Sequence, residues 1–349
     1  MTKSCLRAGV SALSYFAVAL SGVASAHHAS GPGNSSAAGP INTLSAAPLE
    51  EGDFVAGIVV DQNNFDALSD ETLAEAAESA ASAGDPEAHV HSLDGIRTSA
   101  LSLAYGLSND LTVTARLPYV AREDVREGHA HEESPGVFHG EAHALGDSEG
   151  WGDLSIIAQW RFFNDEASHT QMAALFGVEA PTGETKVTNA EEERFDAEFQ
   201  PGSDSWDYFL GFVASRGAGR WGFDASGLYT LTGDGLGANL GDRFNYGLAA
   251  SYRAFGAPAH NDEGGAPHRH GPALDLVLEL SGEWHGKQQD AGVSEPDSGG
   301  HVLHVAPGLR YTLNEFSALV SIGAPVISAF NGLQAEPDLR ATLGAGYRF

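Results

Sequence analysis

From residue 50 onward the chain alternates apolar and polar residues with a period of two, in about twelve separate segments. The clearest is Arg243 to Phe255, where Phe244, Tyr246, Leu248, Ala250 and Tyr252 interleave with Arg243, Asn245, Gly247, Ser251 and Arg253. Ala273 to His285 repeats the pattern, with Leu274, Leu276, Leu278, Leu280 and Trp284 set against Asp275, Glu279, Ser281, Glu283 and His285. A period of two is that of a β-strand with one greasy and one polar face. The polar face carries charges and small residues on nearly every segment, as a wet lumen does, whereas a soluble sandwich would turn its greasy face into a dry core. The expected fold is therefore all-β: a closed antiparallel transmembrane β-barrel of about twelve strands. Closure satisfies the backbone hydrogen bonds that an open sheet would leave bare in lipid.

The expected strands lie near Asp53 to Gln62, Ile96 to Gly106, Leu111 to Val120, Trp151 to Phe163, Thr170 to Thr182 and Ser205 to Ser215. They continue with Arg220 to Leu231, the two segments above, His301 to Leu313, Phe316 to Ile327 and Asp338 to Phe349. Their links alternate in length. Those at 107–110, 164–168, 216–219 and 314–315 are short, while 63–95, 122–150, 183–204, 232–242, 286–300 and 328–337 are long, acidic and rich in glycine. Outer-membrane barrels have short periplasmic turns and long external loops, so the six long links are expected outside. The long link 256–271 is the misfit, since it falls on the short-turn side. A short helix is expected at Ser69 to Ala81, with Ser69 as its cap and Asp70 and Glu71 in its first turn.

The N-terminus has the form of an export signal: Lys3 and Arg7, an uncharged apolar stretch from Ala8 to Val23, then Ala24-Ser25-Ala26 as a cleavage pattern. The division expected is a signal peptide over 1–26, a flexible Gly/Ser-rich segment over 27–51 and an outer-membrane barrel over 52–349. The flexible segment either hangs below the barrel or enters it as a plug, and the sequence does not choose. Cys5, the one cysteine, lies in the signal, so neither disulfides nor thiolate metal sites are expected in the mature chain. With 18 Lys+Arg against 47 Asp+Glu, the formal net charge of −29 argues against nucleic acid as a partner. The expected partners are outer-membrane lipid, lipopolysaccharide and a small-molecule solute. Acidic loops would meet lipopolysaccharide through shared divalent cations.

The ending Leu343-x-Ala345-x-Tyr347-x-Phe349 resembles the assembly signal that barrel-insertion machinery reads in bacterial outer-membrane proteins. Longer stretches resemble a family of outer-membrane transporters named after the meta-pathway of phenol degradation. They are GPINTLSA (39–46), HVHSLD (89–94), GWGDLSI (150–156), PTGETK (181–186), GSDSWDYFLG (202–211), GDRFNYGLAASYR (241–253), SGEWHGK (281–287) and SGGHVLHVAPGLRYTL (298–313). The match spans nearly the whole mature chain. It implies an outer-membrane channel or transporter for small, hydrophobic or aromatic compounds, passing by diffusion through the lumen. It supplies no catalytic or binding residues.

Two sets of residues could carry chemistry. Asp275, Glu279 and Glu283, spaced by four, should share the lumenal face, with Arg161, Arg243, Arg253, Arg310, Arg340 and Arg348 as inward basic partners. Facing acidic and basic rows would filter solutes; the same charges would otherwise pair and fill a barrel of limited bore. The second set is histidine: His89 and His91 in the first long loop and His129, His131, His139 and His143 in the second, with His27, His28, His260, His268, His270, His285, His301 and His304 elsewhere. H-x-H places two imidazoles on one side of an extended chain, and neutral imidazole is a ligand for zinc or copper. Weak surface zinc or copper binding is the only cofactor chemistry this offers. It supports the alternative reading, a non-transporting barrel whose histidine-rich loops bind metal. No phosphate loop or H-E-x-x-H motif occurs and no G-x-S-x-G elbow sits between a strand and a helix, so no enzymatic activity is expected.

Overall fold

The structure, a computed structural model, describes residues 40–84, 89–256, 271–295 and 297–349. The expected signal peptide, His27, His28 and the histidines of the 256–271 link lie outside the described residues. Among the described residues, twelve long antiparallel strands form the barrel. They are β1 (Phe54–Asp66), β2 (Gly95–Ser108), β3 (Leu111–Ser134), β4 (Leu154–Asp165), β5 (Thr170–Ala180) and β6 (Asp207–Ala218). The set continues with β7 (Trp221–Leu231), β8 (Arg243–Phe255), β9 (Ala273–His285), β10 (Gly300–Leu313), β11 (Phe316–Phe330) and β12 (Glu336–Arg348). Each strand pairs with its sequence neighbour. β12 returns to β1 in register from Val55↔Arg348 to Asp66↔Glu336, which closes the barrel.

The greasy faces point outward. Leu101, Leu103, Ile156, Leu210, Leu248, Leu278 and Leu343 are all exposed. Aromatic residues gather toward both ends of this belt: Tyr105, Trp160, Trp221, Tyr311 and Tyr347 near the short turns, Trp151, Tyr208, Tyr229, Phe244 and Trp284 near the long loops. Trp221 and Tyr229 stand eight residues apart on β7, about 26 Å of strand at ~3.3 Å per residue. At the strand tilt of about 40° usual in such barrels this spans ~20 Å of height, within the apolar band of about 25 Å that aromatic girdles flank in an outer-membrane barrel. No described helix is long and apolar enough to cross a membrane.

The expected helix forms as α1 (Asp70–Ala83). The Ser69 hydroxyl accepts from the Thr72 amide, and Gly84 ends the helix in the left-handed conformation. The long link 122–150 departs from expectation. Instead of a loop, β3 continues to Ser134, turns, and comes back as a strand over Val137–Trp151 that pairs with it from Tyr119↔Trp151 to Ser134↔Val137. This ribbon rises beyond the membrane belt and packs against α1. Gly128 and Gly140 make that possible: a Cβ at either would lie 2.4 Å from the Leu73 carbonyl oxygen or 1.9 Å from that of Ala74.

Two more long links pair with each other. Asp234–Gly235, Ala238–Asn239, Gln289–Asp290 and Val293–Ser294 form a small four-stranded sheet above the rim. The link 183–204 folds inward and buries Phe195 and Phe199 in an apolar cluster with Phe65, Leu93, Ile96, Val125, Leu145 and Ala335. Burying one such phenylalanine stabilises the cap by roughly 1.5–3 kcal/mol, so the barrel mouth is roofed by a small hydrophobic core.

Candidate lumenal site

The expectation of a flexible segment over 27–51 is corrected for its described part. Residues 40–51 run inside the barrel, from mid-height beside Glu279 at Ile41–Thr43 down to the short-turn rim on the opposite wall, where the Glu51 amide donates to Asn109. The reason is a set of polar partners with which an exposed coil could not compete. Glu279, in the middle of β9 and 1% exposed, accepts from the backbone amides of Ile41 at 3.0 Å, Asn42 at 2.8 Å and Thr43 at 2.9 Å. The Asn42 side-chain amide donates to the same carboxylate at 2.8 Å and to Ser321 Oγ at 3.0 Å. Farther along, the Ala46 amide donates to Ser215 and the Leu49 amide to Thr112, while Gln159 Nε2 donates to the Ser45 carbonyl. Each wall residue comes from a different strand, so the segment is stitched across the bore.

Small wall residues let it approach. A Cβ at Gly247 would lie 2.7 Å from Thr43 Oγ1, and one at Gly308 would lie 2.5 Å from Ile41 Cδ1. In sequence these two glycines read only as small inward residues of ordinary strands, and nothing nearby marks them as a seat for residues 41–43.

The inner wall has two characters. Across β4 to β7 it carries an apolar patch, in which Ile157, Ala173, Leu175, Phe209, Val213 and Leu228 pack with Leu44 and Ala46 of the segment, set among Gln159, Ser215 and Asp224. Across β8 to β12 and β1 it is charged. Arg253, Asp275 and Arg310 lie side by side in register, and Arg253 Nε donates to Asp275 at 2.7 Å. The Arg310 guanidinium donates to the Pro40 carbonyl at 3.4 Å. Arg340 and Thr342 both donate to Asp61, at 3.2 and 2.7 Å, and Arg243 lies 3.5 Å from Asp207. Arg161 pairs with Asp110 at the short-turn rim, and Arg348 with Asp53 and Glu50.

The anticipated acidic row therefore does not face a basic row as a unit. Asp275 pairs with arginine, Glu279 holds main-chain amides, and Glu283 accepts from Asn245 and contacts His285. The acids that hold the other arginines, Asp61, Asp110 and Asp207, were not anticipated. They sit on different strands or turns, and cross-barrel neighbours leave no spacing in a sequence. Of the terminal motif, Leu343 and Tyr347 face outward and exposed, and the Phe349 ring meets Phe54 at 5.6 Å and Tyr347 at 4.9 Å. Ala345 pairs with Ile58 of β1 and Ala318 of β11.

Three of the stretches quoted earlier converge at the rim. Asp153 accepts from the amides of Thr182 (2.8 Å), Gly183 (2.7 Å) and Ser203 (2.6 Å) and from the Ser203 hydroxyl (2.8 Å). GWGDLSI, PTGETK and GSDSWD thus form one knot that sets where the roofing link leaves and re-enters the wall. At the link's inner end, Ser148 Oγ and Arg122 donate to the Phe199 carbonyl, at 2.6 and 3.4 Å.

His91 fastens the roof from below. Its fully buried ring lies 3.2 Å from Glu198, 3.5 Å from Glu127 and 3.6 Å from Asp196, with Phe199 edge-on at 5.0 Å. Burial opposes its charge, yet Glu127 and Glu198 outweigh burial and raise its pKa to about 10. Glu127, which also bonds to His89, is held well below the usual carboxylate range by the two imidazoles despite its own burial. Burial pushes the Glu198 carboxyl up. Beside this latch lies a cavity of about 320 Å³ lined by Glu127, Glu193, Asp196, Glu198, Asp290 and Glu295, with Arg194 among them. The mouth is thus strongly negative.

His129, His131, His139 and His143 stand on the β3 ribbon. His131 pairs with His139, their rings 5.7 Å apart, and His129 and His143 lie 4.6 Å apart next to Glu141.

No family model matches this chain, and no curated protein matches it. Among solved structures, it is similar to the COG4313 outer membrane channel from Pseudomonas putida F1. The TM-score is 0.55 at 16% identity over 87% of this chain and 98% of that one. It also matches the beta domain of the Bordetella autotransporter BrkA (TM-score 0.42, 10% identity, 86% and 100% covered) and the KdgM porin (0.38, 8%, 84% and 99%). At these identities the first likeness supports the fold: this is a barrel of the outer-membrane type.

Proposed function

We propose that the protein is an outer-membrane channel through which small, uncharged, hydrophobic or aromatic molecules diffuse, with residues 40–51 setting the bore. One observation carries this reading. The segment lies along the boundary between two unlike walls, its backbone held by Glu279 and its Leu44 and Ala46 resting on the apolar face of β4 to β7. When the segment is released from its Glu279 anchor and swings off this face, it uncovers a strip of Ile157, Leu175, Phe209 and Leu228, a surface that takes apolar solutes from water. The acidic mouth repels anions, and the paired lumenal charges leave little net field to attract ions into the bore. The resemblance to the phenol meta-pathway transporters points to the same solute class, and the similar Pseudomonas putida structure is named an outer membrane channel. The reading is non-enzymatic, with the exposed belt in outer-membrane lipid and the acidic loops among lipopolysaccharide.

Liposomes containing the folded protein should pass an uncharged aromatic alcohol several-fold faster than a sugar alcohol of equal mass, and a benzenedicarboxylate slowest. Equal or reversed rates for the aromatic and the sugar, or no flux of either, would overturn the assignment.

A further inference from the structure

We propose that His129, Glu141 and His143 form a site for a zinc-class dication on the outer ribbon, independent of any transport. The ribbon's register builds it. His129 lies directly opposite Glu141, and His143 is two residues farther along the same strand, on the same face. One donor atom from each of the three lies within 4.8 Å of the others. Bonds of ~2.0–2.2 Å in a tetrahedral site put donors about 3.4 Å apart, so a small side-chain adjustment closes the set.

A second observation points the same way. His143 Nε2 is buried and has no hydrogen-bond partner among the described residues; the nearest carboxylate oxygen, Glu141 Oε2, is 3.6 Å away, too far to accept from it. A buried imidazole nitrogen without a partner carries a desolvation cost. A cation between Nε2 and the carboxylate removes that cost and binds both groups. On the other side of the ring, Glu191 of the roofing link lies 4.0 Å from His143 Nδ1, beyond hydrogen-bond range but close enough that a small rotation would let its carboxylate orient the ligating imidazole.

The scaffold is rigid. α1 backs the ribbon's opposite face, with Gly128 and Gly140 seated on its backbone, so the three donors stand on paired strands instead of a free loop. Two imidazoles and one carboxylate select zinc and its neighbours in the transition series over calcium and magnesium, which prefer oxygen. Three protein donors leave a fourth position for water, which makes an exchangeable site at the cell surface. Among the described residues, His131 and His139 join no third donor in a comparable set.

The test is calorimetric titration of the folded full-length chain in detergent with zinc chloride, in a magnesium background that occupies non-specific carboxylates. One saturable site per chain is expected. His129→Ala/His143→Ala should weaken it at least 100-fold and Glu141→Gln about 10-fold. His131→Ala/His139→Ala should leave it within threefold. Heat-modifiable mobility on gels checks that each variant is folded, and the near-isosteric Glu141→Gln serves if the double alanine variant is not. A wild-type chain without saturable binding, a His129→Ala/His143→Ala variant that titrates like wild type, or an equal loss in His131→Ala/His139→Ala would overturn the site.

Discussion

Replacing Glu279 by glutamine should release the lumenal segment. Four donors converge on this carboxylate: the amides of Ile41, Asn42 and Thr43 and the Asn42 side chain, all between 2.8 and 3.0 Å. Glutamine keeps one acceptor oxygen but removes the negative charge. It also turns an NH2 group toward the Asn42 donors. Hydrogen bonds to a charged group are worth about 1.5–3 kcal/mol each. Here several donors share one carboxylate, and water re-solvates them on release, so the net loss is taken as about 3 kcal/mol for the whole anchor. At 1.36 kcal/mol per tenfold, that raises the displaced fraction of the segment about 100-fold. Single-channel recording in planar bilayers reads this directly, as a higher-conductance level whose occupancy rises with the substitution. Liposome flux of an aromatic alcohol should rise with it. A folded Glu279→Gln protein whose conductance levels and occupancies match wild type within threefold would refute the idea that this carboxylate holds the segment in place.

Two further predictions concern the roof. His91 is raised from 6.5 to about 10, so its ion-pair stabilisation of the 183–204 link is complete below about pH 6.5 and lost as pH rises through about 10. Hydrogen-exchange protection at Phe195 and Phe199, corrected for intrinsic rates, should fall across that range in wild type. His91→Asn should be weakly protected throughout, and a flat wild-type profile would count against the latch. Asp153→Asn leaves one oxygen to serve three amides and a hydroxyl, a loss of about 3 kcal/mol. Proteolytic cleavage between Gly183 and Ser203 should then quicken by about two orders of magnitude, and resistance equal to wild type would show that the knot is not what holds the link.

Some of this was legible in the sequence because strand position and side-chain direction are coupled. Arg243–Phe255 and Ala273–His285 announce themselves, and α1 is marked by Ser69 and the acids after it. The ribbon above β3 was hidden because its packed face is made of Gly128, Ala130, Gly140 and Ala142, which are small enough to admit α1 and therefore resemble a polar Gly-rich loop. The lumenal segment was hidden for another reason. Its wall partners stand 63 or more residues away, Glu279 as many as 238, and bind mainly its backbone, which carries no side-chain code. GPINTLSA stood out only as a resemblance, and the structure supplies its physical sense: Ile41, Asn42 and Thr43 fit against Gly308, Glu279 and Gly247. The lumenal arginines could be listed but not paired, because Asp61 and Asp207 meet them through strand register and barrel closure.

The central claim is that residues 40–51 lie across the bore and limit passage through it. Thr43 and Gly247 test it most directly, since a Cβ built at Gly247 lies 3.2 Å from that of Thr43, close to the ~3.5–4.5 Å span of a disulfide. In Thr43→Cys/Gly247→Cys, oxidation should form the cross-link and drop flux of an aromatic alcohol to the level of empty liposomes, and reduction should restore it. A cross-link that fails to form in folded protein, or flux that is the same oxidised and reduced, would contradict the account.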